Sequence, residues 1–314
     1  MRLRRLTVLS VAAVSALLLA GCSGTTEAPA EDTSSALCAG QAASGDASES
    51  VTVEGAVGEA ATATFEAPLE VSELQVTTLE EGDGDQIAVG DFIAYTLTAY
   101  DAESGEELTS MGYEPGQILP TQITEGTVFS QVFGCSTVGS RVVAAFPADE
   151  TVASEVYVLD LLSVVPTAAW GEEQEPVEGM PTVELAEDGT PTITVPETDA
   201  PTETEISVLK KGDGYEVQEG DNLLIQFRGA RWSTGEVFEG GDTWESGSPY
   251  IGQMQFIEGF QQAIVGQPVG SQVIVVIPPA AGYGEGEINA DDLVGETLVF
   301  VIDILGAQTA AQTQ

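Results

Sequence analysis

Few residues in this 314-residue chain can do chemistry. It has no histidine and only three cysteines, Cys22, Cys38 and Cys135, so no cysteine has an imidazole to activate it. No twelve-residue EF-hand loop with alternating Asp/Asn ligands is present, and neither a metal nor a cofactor is expected. What remains is the stretch 256–284. Phe256, Ile257 and Phe260 flank a Glu258-Gly259 turn, and Phe260, Ala263 and Ile264 share one face of a helical turn. After the Val269-Gly270 turn, residues 272–277 form a β-branched run that reads as a buried strand. Pro278-Pro279 and a loop of small residues then lead to Tyr283-Gly284. Together these offer a shallow apolar pocket with one polar handle.

The rest of the chain must position that pocket. Its length has room for two domains. Eight Lys+Arg against 51 Asp+Glu give a formal net charge of −43, which excludes nucleic-acid binding and a basic membrane-binding patch. The acidity is read as solubility through charge repulsion. Arg2, Arg4 and Arg5 precede the apolar run 6–20, and Leu19-Ala20-Gly21-Cys22 resembles a bacterial lipobox. Residues 1–21 are thus expected to be a lipoprotein signal peptide, with Cys22 lipidated and the protein anchored on the extracytoplasmic face of the cell membrane. Outside the cytoplasm, Cys38 and Cys135 are expected to form a disulfide rather than a metal or catalytic pair.

Residues 22–48 are small and polar and read as a flexible tether. Residues 166–180 read as a Pro/Glu/Gly linker, and 308–314 as a tail. Between them lies an internal repeat. Gly82-Asp83-Gly84 matches Gly212-Asp213-Gly214 at an offset of 130, as do Gly90-Asp91 with Gly220-Asp221, and Thr62 and Thr64 with Thr192 and Thr194. One residue later in offset, Phe129 falls on Phe260 and Val138-Gly139-Ser140 on Val269-Gly270-Ser271. The units 49–165 and 181–307 each read as mostly β, with one short helix before the Val-Gly-Ser turn and a leading hairpin; Asp188-Gly189 is a hairpin-type turn.

The second unit resembles the FKBP-type peptidyl-prolyl cis-trans isomerases. The residues that carry the resemblance are Gly212-Asp213-Gly214, residues 225–229 (IQFRG), residues 234–239 (TGEVFE), residues 256–260 (FIEGF), Val269-Gly270-Ser271, Tyr283-Gly284 and residues 297–300 (TLVF). The resemblance implies an α+β, mostly β fold: two tandem FKBP-like units, each an antiparallel sheet wrapped around one short helix. It also implies an isomerase that twists X–Pro amides in proline-containing unfolded or secreted polypeptides, acting as a monomer. Phe238, Glu239, Ile257 and Tyr283 would act on the amide, with Glu239 as the carboxylate at the pocket edge. Phe227, Phe256, Phe260 and Phe300 would bind the substrate, with Phe260 under the proline ring.

The family usually has Tyr at Phe227, Asp at Glu239 and Trp at Phe260. The loop 285–295 lacks the usual Pro-Pro stretch, leaving Ile288 or Leu293 for its apolar contacts. The first unit carries Leu97, Leu108 and Thr109 where Phe227, Phe238 and Glu239 stand, and has no Tyr-Gly loop. It reads as a degenerate, non-catalytic copy. The alternative for the whole protein is a non-catalytic FKBP-like chaperone or protein-binding lipoprotein.

Overall fold

The structure, a computed structural model, describes residues 33–289 and 292–310. The signal segment 1–21, Cys22 and the tether as far as residue 32 lie outside the described residues. The first unit runs α1 (Thr33–Gly40), α2 (Asp46–Glu49), β1 (Thr52–Glu54), β2 (Thr62–Thr64), β3 (Gln75–Glu80), β4 (Phe92–Asp101), β5 (Glu107–Met111), β6 (Thr121–Gln122), α3 (Val128–Phe133), β7 (Arg141–Phe146) and β8 (Glu155–Val165). The second runs β9 (Glu172–Glu173), β10 (Thr182–Leu185), β11 (Pro191–Thr194), β12 (Glu205–Lys211), β13 (Asn222–Arg231), β14 (Val237–Asp242), α4 (Thr243–Ser246), β15 (Tyr250–Gln253), α5 (Glu258–Ile264), β16 (Gln272–Ile277) and β17 (Leu298–Gln308). A 3₁₀ turn, Pro279–Ala281, follows β16.

The two main sheets have one topology. The first is ordered β3-β7-β8-β4-β5 with β6 also on β4; the second is β14-β13-β17-β16-β12-β9 with β15 also on β13. Their irregularities coincide as well. The β3–β7 ladder slips between Thr78 and Glu80 and the β12–β16 ladder between Val208 and Lys210. The β4–β8 and β13–β17 ladders slip at Ala94/Tyr95 and Leu224/Ile225. The leading hairpins pair Thr52 with Thr64 and Thr182 with Thr194. Ser140 and Ser271 hydroxyls accept the Gly82 and Gly212 N–H groups, each at 2.9 Å. A bulge is a local feature, so its recurrence at one repeat position argues for duplication more strongly than the turn motifs do.

Both faces of the second sheet are covered, which explains the unbroken apolar run in β16. Val273, Val275 and Ile277 face inward with Leu298, Phe300 and Ile302 against Phe260, Ala263 and Ile264 of α5. Ile274, Val276, Val299 and Val301 face outward beneath Val183 and Ile193 of the β10–β11 hairpin. The β1–β2 hairpin covers the first sheet in the same way, with Val51 and Ala61 over Val143, Val156 and Val158.

Two segments differ from the sequence expectation. Residues 33–49 are not a free tether. Leu37 is buried in the first core, the expected disulfide joins Cys38 to Cys135, and Ala42 N–H donates to Gln131 C=O at 2.9 Å. A Leu, a covalent bond and a set of hydrogen bonds, among them Gln41 Nε2 to Val132 C=O at 3.2 Å and Ala47 N–H to Gln75 Oε1 at 2.9 Å, dock a segment whose composition reads as disordered. The linker 166–180 is likewise not free. Glu172 and Glu173 form the edge strand β9 against β12, and buried Ala169 donates its N–H to Asp303 at 2.7 Å. The two units touch through Phe92, Val165, Leu224 and Leu305, and Thr309 N–H donates to Gly116 C=O at 2.9 Å.

Candidate active site

In the second unit β13, β14, β17 and α5 converge on a cavity of about 460 Å3. Phe260, in the first turn of α5, is 2% exposed and forms its floor. The Phe256 ring stacks on Phe260 at 4.4 Å, and Phe227 and Phe300 meet it edge-on at 5.6 and 5.1 Å. Phe238 approaches Phe300 edge-on at 5.6 Å. Edge-to-face contact suits the aromatic quadrupole, so the rings hold one another without filling the centre. Seven of the eight site residues read from the sequence line this cavity: Phe227, Phe238, Phe256, Ile257, Phe260, Tyr283 and Phe300.

Glu239 is the exception. Glu239 is exposed and does not line the cavity, although its neighbour Phe238 does; β14 is bulged over these residues, where its ladder with β13 slips between Arg228 and Ala230. Gly240, at φ +77°, forms the wall in its place, and Gln255 is a further lining residue that the sequence did not single out. The carboxylate that does structural work here is Asp242. It accepts from Arg228 Nη2 at 2.6 Å and Nε at 2.9 Å and caps α4 by accepting Trp244 N–H. Thr243 accepts the Phe227 N–H at 2.8 Å and donates to buried Gln226 at 2.6 Å, fixing the strand that carries Phe227.

Two donors stand at the cavity. Ile257 precedes α5, and its N–H has no acceptor among the described residues, as expected for a first-turn amide. Gln261 holds the approach to it by donating to Phe256 C=O at 2.6 Å. The Tyr283 hydroxyl also lacks a partner among the described residues, and Tyr283 is 50% exposed. Its loop is anchored at the far end, where buried Glu296 accepts from Ser233 Oγ at 2.6 Å and Arg231 donates to Asn289 and Asp292 carbonyls. Of the two loop residues in question, Leu293 packs against the core and Ile288 is exposed. The site therefore combines a dry aromatic floor with hydrogen-bond donors and has no nucleophile.

The comparisons with known proteins fall on this same region. The family model for FKBP-type peptidyl-prolyl cis-trans isomerases matches residues 214–305. A probable FK506-binding protein of Corynebacterium glutamicum is 36% identical over 112 residues, covering 34% of this chain and 90% of the relative. The chain belongs to the FKBP-type peptidyl-prolyl cis-trans isomerases. An FK506-binding protein of Streptomyces anulatus is 32% identical over 109 residues, 33% of this chain and 86% of that protein. Among solved structures, FkpA from Escherichia coli covers 43% of this chain and 54% of its own at 19% identity, with a TM-score of 0.32. By the family match and these relatives, the FKBP domain of this chain carries the family's isomerase activity. The chemistry is rotation about an X–Pro amide against a resonance barrier of ~18–20 kcal/mol, which needs desolvation and oriented donors rather than covalent catalysis.

Proposed function

We propose that the protein is a lipid-anchored, extracytoplasmic prolyl isomerase that assists the folding of proline-containing polypeptides, with the 227–300 cavity as its active site. The proline ring rests on Phe260 between Phe227, Phe238 and Phe300. The Ile257 N–H and the Tyr283 hydroxyl donate to carbonyls of the bound segment. The planar amide is the more polar form because resonance separates its charge. An apolar wall therefore disfavours the planar form relative to the twisted one, and donors placed for the twisted form add to the effect. Glu239 has no part in this. The observation that carries the reading is the pair of unpartnered donors at an aromatic-floored cavity.

The lipobox-like Leu19-Ala20-Gly21-Cys22 supports the anchor, and the Cys38–Cys135 disulfide suits an oxidising compartment. No helix among the described residues is long and apolar enough to cross a membrane. The first unit, lacking a Tyr-Gly loop, is an accessory without isomerase activity.

The test is turnover of a short X–Pro peptide by the unmodified protein, by Phe238→Ala and by Tyr283→Phe, with and without FK506, the ligand in the relatives' names. Inhibition by FK506 together with loss in both variants supports the site. Unchanged turnover in both would remove it. A Cys22→Ala variant that still fractionates with membranes would overturn the anchor. Phe227, which lacks the family's hydroxyl, favours a second reading as a binding module; a folded protein that binds FK506 without turnover would decide for it.

A further inference from the structure

The first unit retains a cavity of about 340 Å3 between β4, α3 and β8, at the repeat position of the prolyl cavity. Phe129 lies where Phe260 lies in the second unit, and Leu97 where Phe227 lies. Tyr157 takes the place of Phe300, meeting Phe146 edge-on at 5.2 Å. The walls are thus apolar, as in the active site, but the polar groups differ in kind. The connection above the cavity, residues 147–154, has eight residues where its counterpart 278–297 has twenty, and it brings no tyrosine. It brings Asp149 instead, whose Oδ1 accepts from Thr151 N–H at 2.7 Å and Val152 N–H at 2.9 Å. Those bonds hold its carboxyl below the usual carboxylate range, so it is ionised at neutral pH. Glu155 stands beside it and accepts from the Tyr157 hydroxyl at 2.5 Å. Burial, reinforced by Glu155, pushes the Tyr157 phenol up to about 12, so the phenol keeps its proton, directs it at the Glu155 carboxylate, and leaves its oxygen lone pairs as acceptors.

We propose that this cavity is a second polypeptide-binding site that takes an apolar side chain flanked by Lys or Arg and leaves its peptide bonds unrotated. The active-site cavity presents donors suited to carbonyls, whereas this one presents carboxylates and a phenol oxygen suited to cations and N–H groups. An overall charge of −43 adds a long-range field that favours the same ligand. Val152, 47% exposed, lines the same cavity as the two acids and supplies apolar contact. The inference rests on the proposed function only in taking unfolded polypeptide as the ligand.

The probes are two fluorescein-labelled, proline-free octapeptides, one alternating Lys with Phe and Leu, the other Glu with the same apolar residues. They are titrated against the full chain by anisotropy. The Lys peptide is expected to bind at least about tenfold more tightly than the Glu peptide, a difference of about 1.4 kcal/mol, and to weaken in high salt. Val152→Arg and Glu155→Gln are each expected to weaken the Lys peptide, while Phe238→Ala, in the other cavity, leaves its binding intact even where prolyl turnover is lost. Equal binding of both peptides would overturn the inference without any variant. Loss in Phe238→Ala but not in Val152→Arg would overturn it too, by assigning the peptide to the prolyl cavity. Failure of prolyl turnover alone would bear only on the proposed function.

Discussion

Gly229 lies across the β13–β17 ladder from Phe300, and a Cβ on Gly229 would sit 2.6 Å from the Phe300 ring and 2.7 Å from the Phe238 ring. The missing side chain is the space in which the two aromatic walls meet. In the first unit Ala99 takes this position opposite Tyr157, and Leu108, at the repeat position of Phe238, is 51% exposed outside the cavity. The methyl group of Ala99 thus fills the gap in which, in the second unit, the Phe238 ring meets Phe300.

Gly229→Ala is therefore expected to displace Phe238 and abolish most prolyl turnover. The overpacking cost is about 1–3 kcal/mol, so the protein should remain folded at room temperature. Turnover and thermal melting measured together check this; full activity with an unchanged melting temperature would show that the rings do not need the gap.

Glu239→Gln tests the exclusion of that carboxylate. An exposed side chain outside the cavity should change the barrier by no more than about 0.5 kcal/mol, or roughly twofold in turnover. A tenfold loss would return Glu239 to the site.

Cys135→Ser should release α1 from α3. The bridge closes a sequence separation of 97 residues, and its loss is expected to cost about 2–5 kcal/mol. Calorimetry of the variant, and of the parent with reductant, should give matching drops in melting temperature. A parent insensitive to reductant would mean that noncovalent contacts of Leu37 alone hold the helix.

Asp303 should make stability depend on pH. Burial raises its carboxyl above the ordinary range, opposed by the Ala169 N–H, Gln272 and Lys210. A carboxyl raised in the folded state stabilises the fold fully below its unfolded value, about 4. That contribution is lost as pH rises through the folded value. The melting temperature of the parent relative to Asp303→Asn should therefore increase on acidification from pH 7 towards 4. Comparison with Asn cancels the general relief of repulsion among the acidic residues. A pH-independent difference would show that Asp303 titrates normally.

The sheet was legible because burial leaves its mark on composition. Residues 273–277 are apolar at every position since β16 is covered on both faces, and Phe260, Ala263 and Ile264 mark the buried face of α5. The aromatic cavity was legible through motif order rather than periodicity. Glu239 was placed in the cavity because a motif gives neighbours along the chain, whereas the bulge in β14 decides which of them faces inward. Gly240 and Gln255 left no signal, since a wall made of backbone or of a lone amide looks like any turn. The first-unit cavity was hidden because Tyr157 comes into register with Phe300 only at an offset of 143, after the shortened connection 147–154; Leu97, Leu108 and Thr109 alone suggest that the site is gone. The docking of residues 33–49 depends on a disulfide, Leu37 and hydrogen bonds made by backbone and small polar side chains, none of which alters a composition dominated by Ser and Ala.

The edge strand β9 consists of two residues, both exposed and both glutamate. If the protein handles unfolded chains as proposed above, an open sheet edge would offer their backbone amides a template for continuous β-pairing. At β9 such a partner would find two residues of ladder and two carboxylates. Under the proposed function, the linker would leave such a partner too short and too charged an edge to extend.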